Sequence, residues 1–168
     1  MAAGDIKLVY GTAADVTITL ASLATSSTLL VGRESTAVDN TSTLALDYIV
    51  SGKVTTGTSP TTAKRIQIFA VASWDGTTYP DVFDGTDSAE TVIQEIKNGV
   101  CKLVASLDTV ATSDLAYHFA GVSLASVFGG TIPPKFVFFV THDTAVNLNS
   151  TAGNHQIRIQ PVYQNIAS

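Results

Sequence analysis

The chain has 168 residues, enough for one domain with a substantial hydrophobic core, and only 14% of them are charged. Globular domains usually contain roughly 25% charged residues. Such a charge-poor chain suggests a surface buried in an assembly, although a soluble β-domain rich in threonine and serine is the alternative. The net charge is −5 and the nine basic residues are scattered, which argues against direct nucleic-acid binding.

The chain shows no targeting or membrane-spanning pattern. The N-terminus reads MAAGDIKLVYG, with no basic region followed by an apolar run, so we expect no signal peptide. No segment approaches the roughly 20 apolar residues of a membrane helix, so no membrane partner is expected. Cys101 is the only cysteine, which excludes an intramolecular disulfide and suits folding in a reducing cytosol.

The first elements are short strands. Ile6, Leu8 and Tyr10 alternate with less apolar neighbours, which predicts an N-terminal arm or short edge strand within residues 1–14. Residues 15–168 are predicted to form a single β-domain, beginning with strands at 16–20 and 29–33.

The clearest alternation lies at residues 43–55, which predicts a long strand with one polar face. The segment TGTSPTT at 56–62 follows as a hairpin loop, and a second strand returns at 66–74. We expect these two strands to pair with each other.

Residues 91–97 are ambiguous. Asp87 with Glu90 resembles a helix capping box, whereas Asn98-Gly99 is a strong hairpin signal before an alternating run at 100–107. The hairpin is the preferred interpretation.

The most apolar run is residues 136–140, a predicted strand that is preceded by Gly129-Gly130 and Pro133-Pro134. Both of its faces are apolar, so the face carrying Val137 and Phe139 needs a cover, either a neighbouring subunit or a folded-over loop. The flanking elements are a strand at 115–119, a helical turn at 122–128 and a last strand at 155–163, where Pro161 indicates an edge or a bulge.

These elements predict an all-β fold: an antiparallel β-sandwich, jelly-roll-like, with about eight strands and little helix. The Cys…Trp…Cys pattern of immunoglobulin domains is absent.

Catalytic and metal patterns are weak. His142-Asp143 could begin a dyad, but no serine lies in a G-x-S-x-G elbow, so we predict a protein that is not an enzyme and needs no cofactor. Asp81, Asp84 and Asp87 are a weak calcium candidate, and a solvated acidic loop is the favoured interpretation.

Trp74 and Tyr79 flank a predicted loop that also carries carboxylates. An exposed aromatic beside carboxylates is typical of sugar sites, so a glycan-binding module on a head or tail is an alternative function. The burial habits of tryptophan favour a structural anchor instead.

Four stretches carry a resemblance: VGRESTAVDNTS (31–42), SWDGTTYPD (73–81), FGGTIPPKF (128–136) and NHQIRIQPVY (154–163). They resemble small virion structural proteins of tailed bacteriophages, some of which are jelly-roll capsid decoration (cement) proteins. The resemblance implies a protein that folds in the bacterial cytoplasm, resides on the capsid surface and bridges copies of the major capsid protein, as a homotrimer. It implies no catalytic residues, and a tail or baseplate component is a further alternative.

The interface candidates are Ile6, Leu8 and Tyr10, which we expect to extend a neighbour's sheet, together with Val137 and Phe139.

Overall fold

Alternating apolar and polar residues build two antiparallel sheets in this protein. The structure, a computed structural model, describes residues 6–166. In chain order the elements are β1 (Ile6–Tyr10), β2 (Ala14–Asp15), β3 (Val31–Glu34), β4 (Val38–Asp39), β5 (Asp47–Thr55), β6 (Lys64–Ser73), β7 (Ala89–Thr91), α1 (Gln94–Val100), β8 (Lys102–Thr109), β9 (Ala116–Ser123), α2 (Leu124–Val127), β10 (Lys135–His142), a 3-10 turn (Ala152–Asn154) and β11 (Gln156–Ile166). The predicted all-β antiparallel sandwich is confirmed.

The two sheets have different strand orders. The first sheet runs β1-β11-β5-β9, with β2 also beside β11. The second sheet runs β7-β3-β10-β6-β8, with β4 also beside β10. The helical turn predicted at 122–128 is present as α2.

The expected pairing of β5 with β6 is wrong. β5 pairs with β11 and β9 in the first sheet, whereas β6 pairs with β10 and β8 in the second. The loop at 56–63 therefore carries the chain from one sheet to the other. Local alternation shows which side chains share a face, but it does not identify the partner strand.

The hairpin preferred for residues 91–97 is also wrong, because Asn98-Gly99 lies inside α1. Lys97 is buried on this helix: its Nζ donates to the Leu29 carbonyl at 2.6 Å and lies 4.7 Å from the centre of the Phe69 ring. These tertiary contacts outweigh the local turn preference of Asn-Gly.

Residues 16–20 form no strand, although their apolar side chains behave as predicted. Leu20 is buried in the core, and Val16 and Ile18 pack against it. Pro161 lies opposite Tyr48 of β5, and on its other side the ladder is interrupted: from Tyr10↔Val162 to Ala14↔Ile159 the β1–β2 segment has one residue more than β11, an irregularity of the kind predicted there. The Pro161 carbonyl accepts a hydrogen bond from Gly11 N, in the interruption between β1 and β2. Because the ladder is interrupted there, the N–H that proline lacks leaves no strand–strand hydrogen bond unmade.

The main core lies between the sheets. Phe136, Phe138 and Val140 of β10 are fully buried there, packed with residues such as Tyr48 and Ile157 from the first sheet. Edge-to-face contact joins Tyr48 to Phe136, with ring centroids 5.4 Å apart.

A second apolar cluster covers the opposite face of β10. Val137 and Phe139 are fully buried against Phe83 and Val92, which belong to the segment between β6 and α1. The Phe83 and Phe139 rings meet edge to face at 5.5 Å. The chain itself therefore supplies the cover that the doubly apolar strand requires, in the form of the folded-over loop.

Candidate functional site

The first and last strands, β1 and β11, form a ribbon at one edge of the first sheet. β1 pairs with β11 from Tyr10↔Val162 to Ile6↔Ile166, whereas the ladder between β5 and β11 ends at Val162. Residues 163–166 thus have β1 as their only strand neighbour among residues 6–166. We call β1 with residues 163–166 the terminal ribbon.

The terminal ribbon exposes large apolar side chains. Ile6, Leu8, Tyr10 and Ile166 are between 60% and 69% exposed. Ile6, Leu8 and Tyr10 share one face because strand side chains alternate, and Ile166 joins that face because it stands opposite Ile6. The predicted edge strand is therefore present, and it pairs with the chain's own β11.

Further exposed apolar residues lie at the same end of the sandwich. Leu46 N donates to the Val162 carbonyl at the base of the ribbon. The neighbouring Asp47 carboxylate accepts from Ser123 Oγ at 2.6 Å and from Ala125 N at 2.7 Å, which anchors α2 at this end.

After α2 comes Phe128, whose ring contacts that of Trp74. We call the exposed apolar residues at this end of the sandwich the apolar end: Ile6, Leu8, Tyr10, Leu44, Leu46, Trp74 and Ile166.

Trp74 borders a cleft of about 550 Å³. Trp74 is 58% exposed, and its ring stands edge to face with that of Phe128, with 6.1 Å between the ring centroids. Tyr79 and Pro80 line the cleft, and Lys102 stands at it with Nζ bonded to the Gly99 carbonyl. The cleft thus combines an accessible aromatic surface with one ammonium group.

Asp75 holds the turn that follows Trp74. Its Oδ1 accepts from Thr77 N at 2.8 Å and from Thr78 N at 2.7 Å. These bonds keep the pKa of the carboxyl well below its ordinary value. The turn is therefore preorganised, and Trp74 projects from a fixed base.

Val137 and Phe139 cannot be interface residues. Both side chains are fully buried beneath Phe83 and Val92 of the same chain, so no partner can reach them. The sequence pattern correctly demanded a cover for this face, but the cover is intramolecular.

Glu34 is a buried carboxylate that sequence patterns did not indicate. Its Oε1 accepts from Gly85 N at 2.7 Å and from Asp84 N at 3.2 Å, which fastens the acidic loop to β3. Burial raises the pKa of Glu34 to about 7, and the nearby charges of Asp84 and Glu90 add to the effect. Beside this loop the Tyr79 hydroxyl is buried, with no hydrogen-bond partner among residues 6–166.

The acidic loop does not assemble a cation site. Asp87 binds Arg33 Nε and Thr19 Oγ1, each at 2.6 Å, and Asp84 accepts from Thr86 N. Asp81 is exposed. Within residues 6–166 no three His, Cys, Asp or Glu side chains converge as metal ligands.

The three histidines do not form a common site. His142 is fully buried; its Nε2 donates to the Leu23 carbonyl at 3.0 Å, and its Nδ1 lies 2.9 Å from Thr144 Oγ1. Burial lowers the pKa of His142. Asp143 accepts from Arg65 N at 2.7 Å instead. His142 and Asp143, the pair considered as a possible dyad, thus make separate structural hydrogen bonds.

His155 Nε2 lies 2.8 Å from the Asn149 carbonyl, and His118 is exposed on β9.

Neither helix in the described part of the chain is long and apolar enough to cross a bilayer. No protein-family model matches the sequence, and no curated protein is similar to it.

Proposed function

We propose that this protein is a non-enzymatic structural protein of a phage virion, specifically a decoration protein that binds the assembled capsid and bridges its subunits. The apolar end is the observation that carries the proposal. The resemblance in the four sequence stretches supports the viral setting, and the low charge content agrees with a surface that is covered in use.

The apolar end needs a partner for physical reasons. Contiguous exposed apolar surface marks interaction sites in monomeric proteins, and the terminal ribbon places four exposed apolar side chains on one face. An isolated two-stranded ribbon is marginally stable in water, yet the terminal ribbon extends beyond β5 with its apolar face open. Docking that face against another subunit would both bury it and stabilise the ribbon.

The proposed mechanism uses the difference between assembled and free capsid subunits. A protein that binds only the assembled shell stabilises it by mass action, as any ligand stabilises the state it binds. The free edge of β1 can add main-chain hydrogen bonds to a neighbouring sheet, while Ile6, Leu8 and Tyr10 provide apolar contact. The partners are the major capsid protein and other copies of this chain.

The direct test adds purified protein to decoration-free heads and measures bound copies per head by quantitative gel densitometry. We expect a variant lacking residues 1–10 to lose binding and Leu8→Ser to bind more weakly. Leu103→Ser is the matched control, because Leu103 is 50% exposed on β8, at an edge of the other sheet. Full occupancy by the truncated protein would refute the role of this end.

A tail or baseplate position is distinguished by copy number. Mass spectrometry of purified virions should find the chain at a level comparable with the major shell protein. A handful of copies per particle would place it in the tail, and its absence from particles would refute the virion proposal altogether.

Glycan binding is the second candidate, favoured by the exposed Trp74 beside its cleft. A flat aromatic ring offers a stacking surface for the apolar face of a sugar, and Lys102 offers a hydrogen-bond donor. A glycan array probed with the wild type and with Trp74→Ala tests this idea. Binding that depends on Trp74 supports it, and an array with no bound glycan removes it.

A further inference from the structure

Within residues 6–166, nothing pairs with the outer edge of β1. Its ladder to β11 is regular through five consecutive pairs, from Ile6 to Tyr10, without a bulge or a proline. Within residues 6–166, no backbone hydrogen bond joins β1 to any strand other than β11. Natural edge strands are usually blunted by prolines, bulges or several charges, and β1 has only Lys7.

The residues of β1 are complementary to a second copy of β1. Residues that stand opposite each other in an antiparallel pair point to the same side of the sheet. In a pairing centred on Leu8, Leu8 faces Leu8, Ile6 faces Tyr10, and Lys7 faces Val9. All five residues pair, and the apolar face continues from one copy into the other.

Charge disfavours the neighbouring register centred on Lys7. A pairing centred on Lys7 would set two ammonium groups directly opposite each other, which is destabilising, and would leave Val9 and Tyr10 without β1 partners. The pairing centred on Leu8 keeps the lysines apart and places each beside an apolar residue.

We propose that two copies of this chain join through β1, antiparallel about a two-fold axis at Leu8, so that their first sheets become one continuous sheet. This deepens the proposed function and rests on it, since it names the partner of the edge that an assembly protein would use. The exposed face of both ribbons, with Ile6, Leu8, Tyr10 and Ile166 from each copy, then forms one apolar stripe. A two-fold dimer differs from the homotrimer that the resemblance implies.

Cysteine cross-linking tests the register in the full-length protein. The Cα atoms of opposed residues across such a pair lie about 4.5–5.5 Å apart, within the Cα spacing of disulfides. We expect Leu8→Cys to form a covalent dimer on mild oxidation. The wild type, whose Cys101 is buried, and Leu103→Cys on β8 should remain uncross-linked.

A mixture of Lys7→Cys and Val9→Cys should cross-link more than either variant alone. Stronger cross-linking of Lys7→Cys with itself would overturn the register, and equal cross-linking of Leu8→Cys and Leu103→Cys would overturn the pairing.

Light scattering on the uncross-linked protein gives an independent readout. The wild type should have twice the chain mass at high concentration, and Leu8→Lys should have the monomer mass, with Leu103→Lys as the dimeric control. A wild type that is monomeric throughout, or trimeric, refutes the two-fold pairing. Head binding is measured separately, so a dimer that ignores heads refutes only the proposed function, and a head-binding monomer or trimer refutes only this inference.

Discussion

Replacing Glu34 should remove a loss of folding stability that grows as the pH rises. Its carboxyl group is fully buried and accepts backbone hydrogen bonds from Gly85 and Asp84, and no salt bridge reaches it in the part of the chain that the structure describes. Its pKa rises from an ordinary 4.5 to about 7 on folding. The folded protein therefore holds this proton more tightly than the unfolded chain, and ionisation opposes folding.

The sign and size of the effect follow from linkage. Stability from Glu34 is fully present below pH 4.5 and is lost as the pH rises through about 7. The difference between the two pKa values corresponds to about 3 kcal/mol in the free energy of unfolding. Glu34→Gln keeps an oxygen acceptor for Gly85 but cannot ionise, so it should lack this loss.

Urea denaturation followed by circular dichroism at several pH values from 4.5 to 8 measures the effect. Over this range the wild type should lose about 3 kcal/mol more than Glu34→Gln. His142 and His155, whose pKa values are lowered by burial, act in the opposite direction but equally in both proteins, so they cancel in the difference. Glu95→Gln, at an exposed position, should follow the wild type. Parallel pH profiles for the wild type and Glu34→Gln would refute the reasoning.

Three further substitutions test the packing beneath the acidic loop by urea denaturation at pH 7. Phe139→Ala should cost about 3–5 kcal/mol because it empties the contact with Phe83; a loss below 1 kcal/mol would mean that the loop does not pack there. Tyr79→Phe should raise the free energy of unfolding by about 1 kcal/mol, since it removes a buried hydroxyl that has no hydrogen-bond partner within residues 6–166; a decrease would reveal a hydrogen bond to this hydroxyl. Asp87→Ala should lower the free energy of unfolding by about 2 kcal/mol because it removes the ion pair with Arg33. An unchanged free energy of unfolding would show that this ion pair does not stabilise the fold.

Part of the candidate site could be predicted from local pattern. The alternation of Ile6, Leu8 and Tyr10 indicated an edge strand with an apolar face, and the structure places it there. The alternation at 43–55 predicts a strand that places Leu44 and Leu46 on its apolar face. The strand begins only at Asp47, so both side chains remain exposed.

The sequence by itself determined the fold class and the sidedness of most strands. Period-two alternation reports which residues share a face, and the doubly apolar run at 136–140 required a cover on each side.

Only the tertiary structure decided which segments meet. It separated β5 from β6, made Asn98-Gly99 part of a helix, and placed Phe83 over Val137 and Phe139 so that these two residues are core rather than interface. The physical reason is that alternation is a property of neighbouring residues, whereas pairing and covering depend on contacts between residues far apart in the chain. For that reason the strand at 136–140 could be recognised from its own residues, but its cover could not.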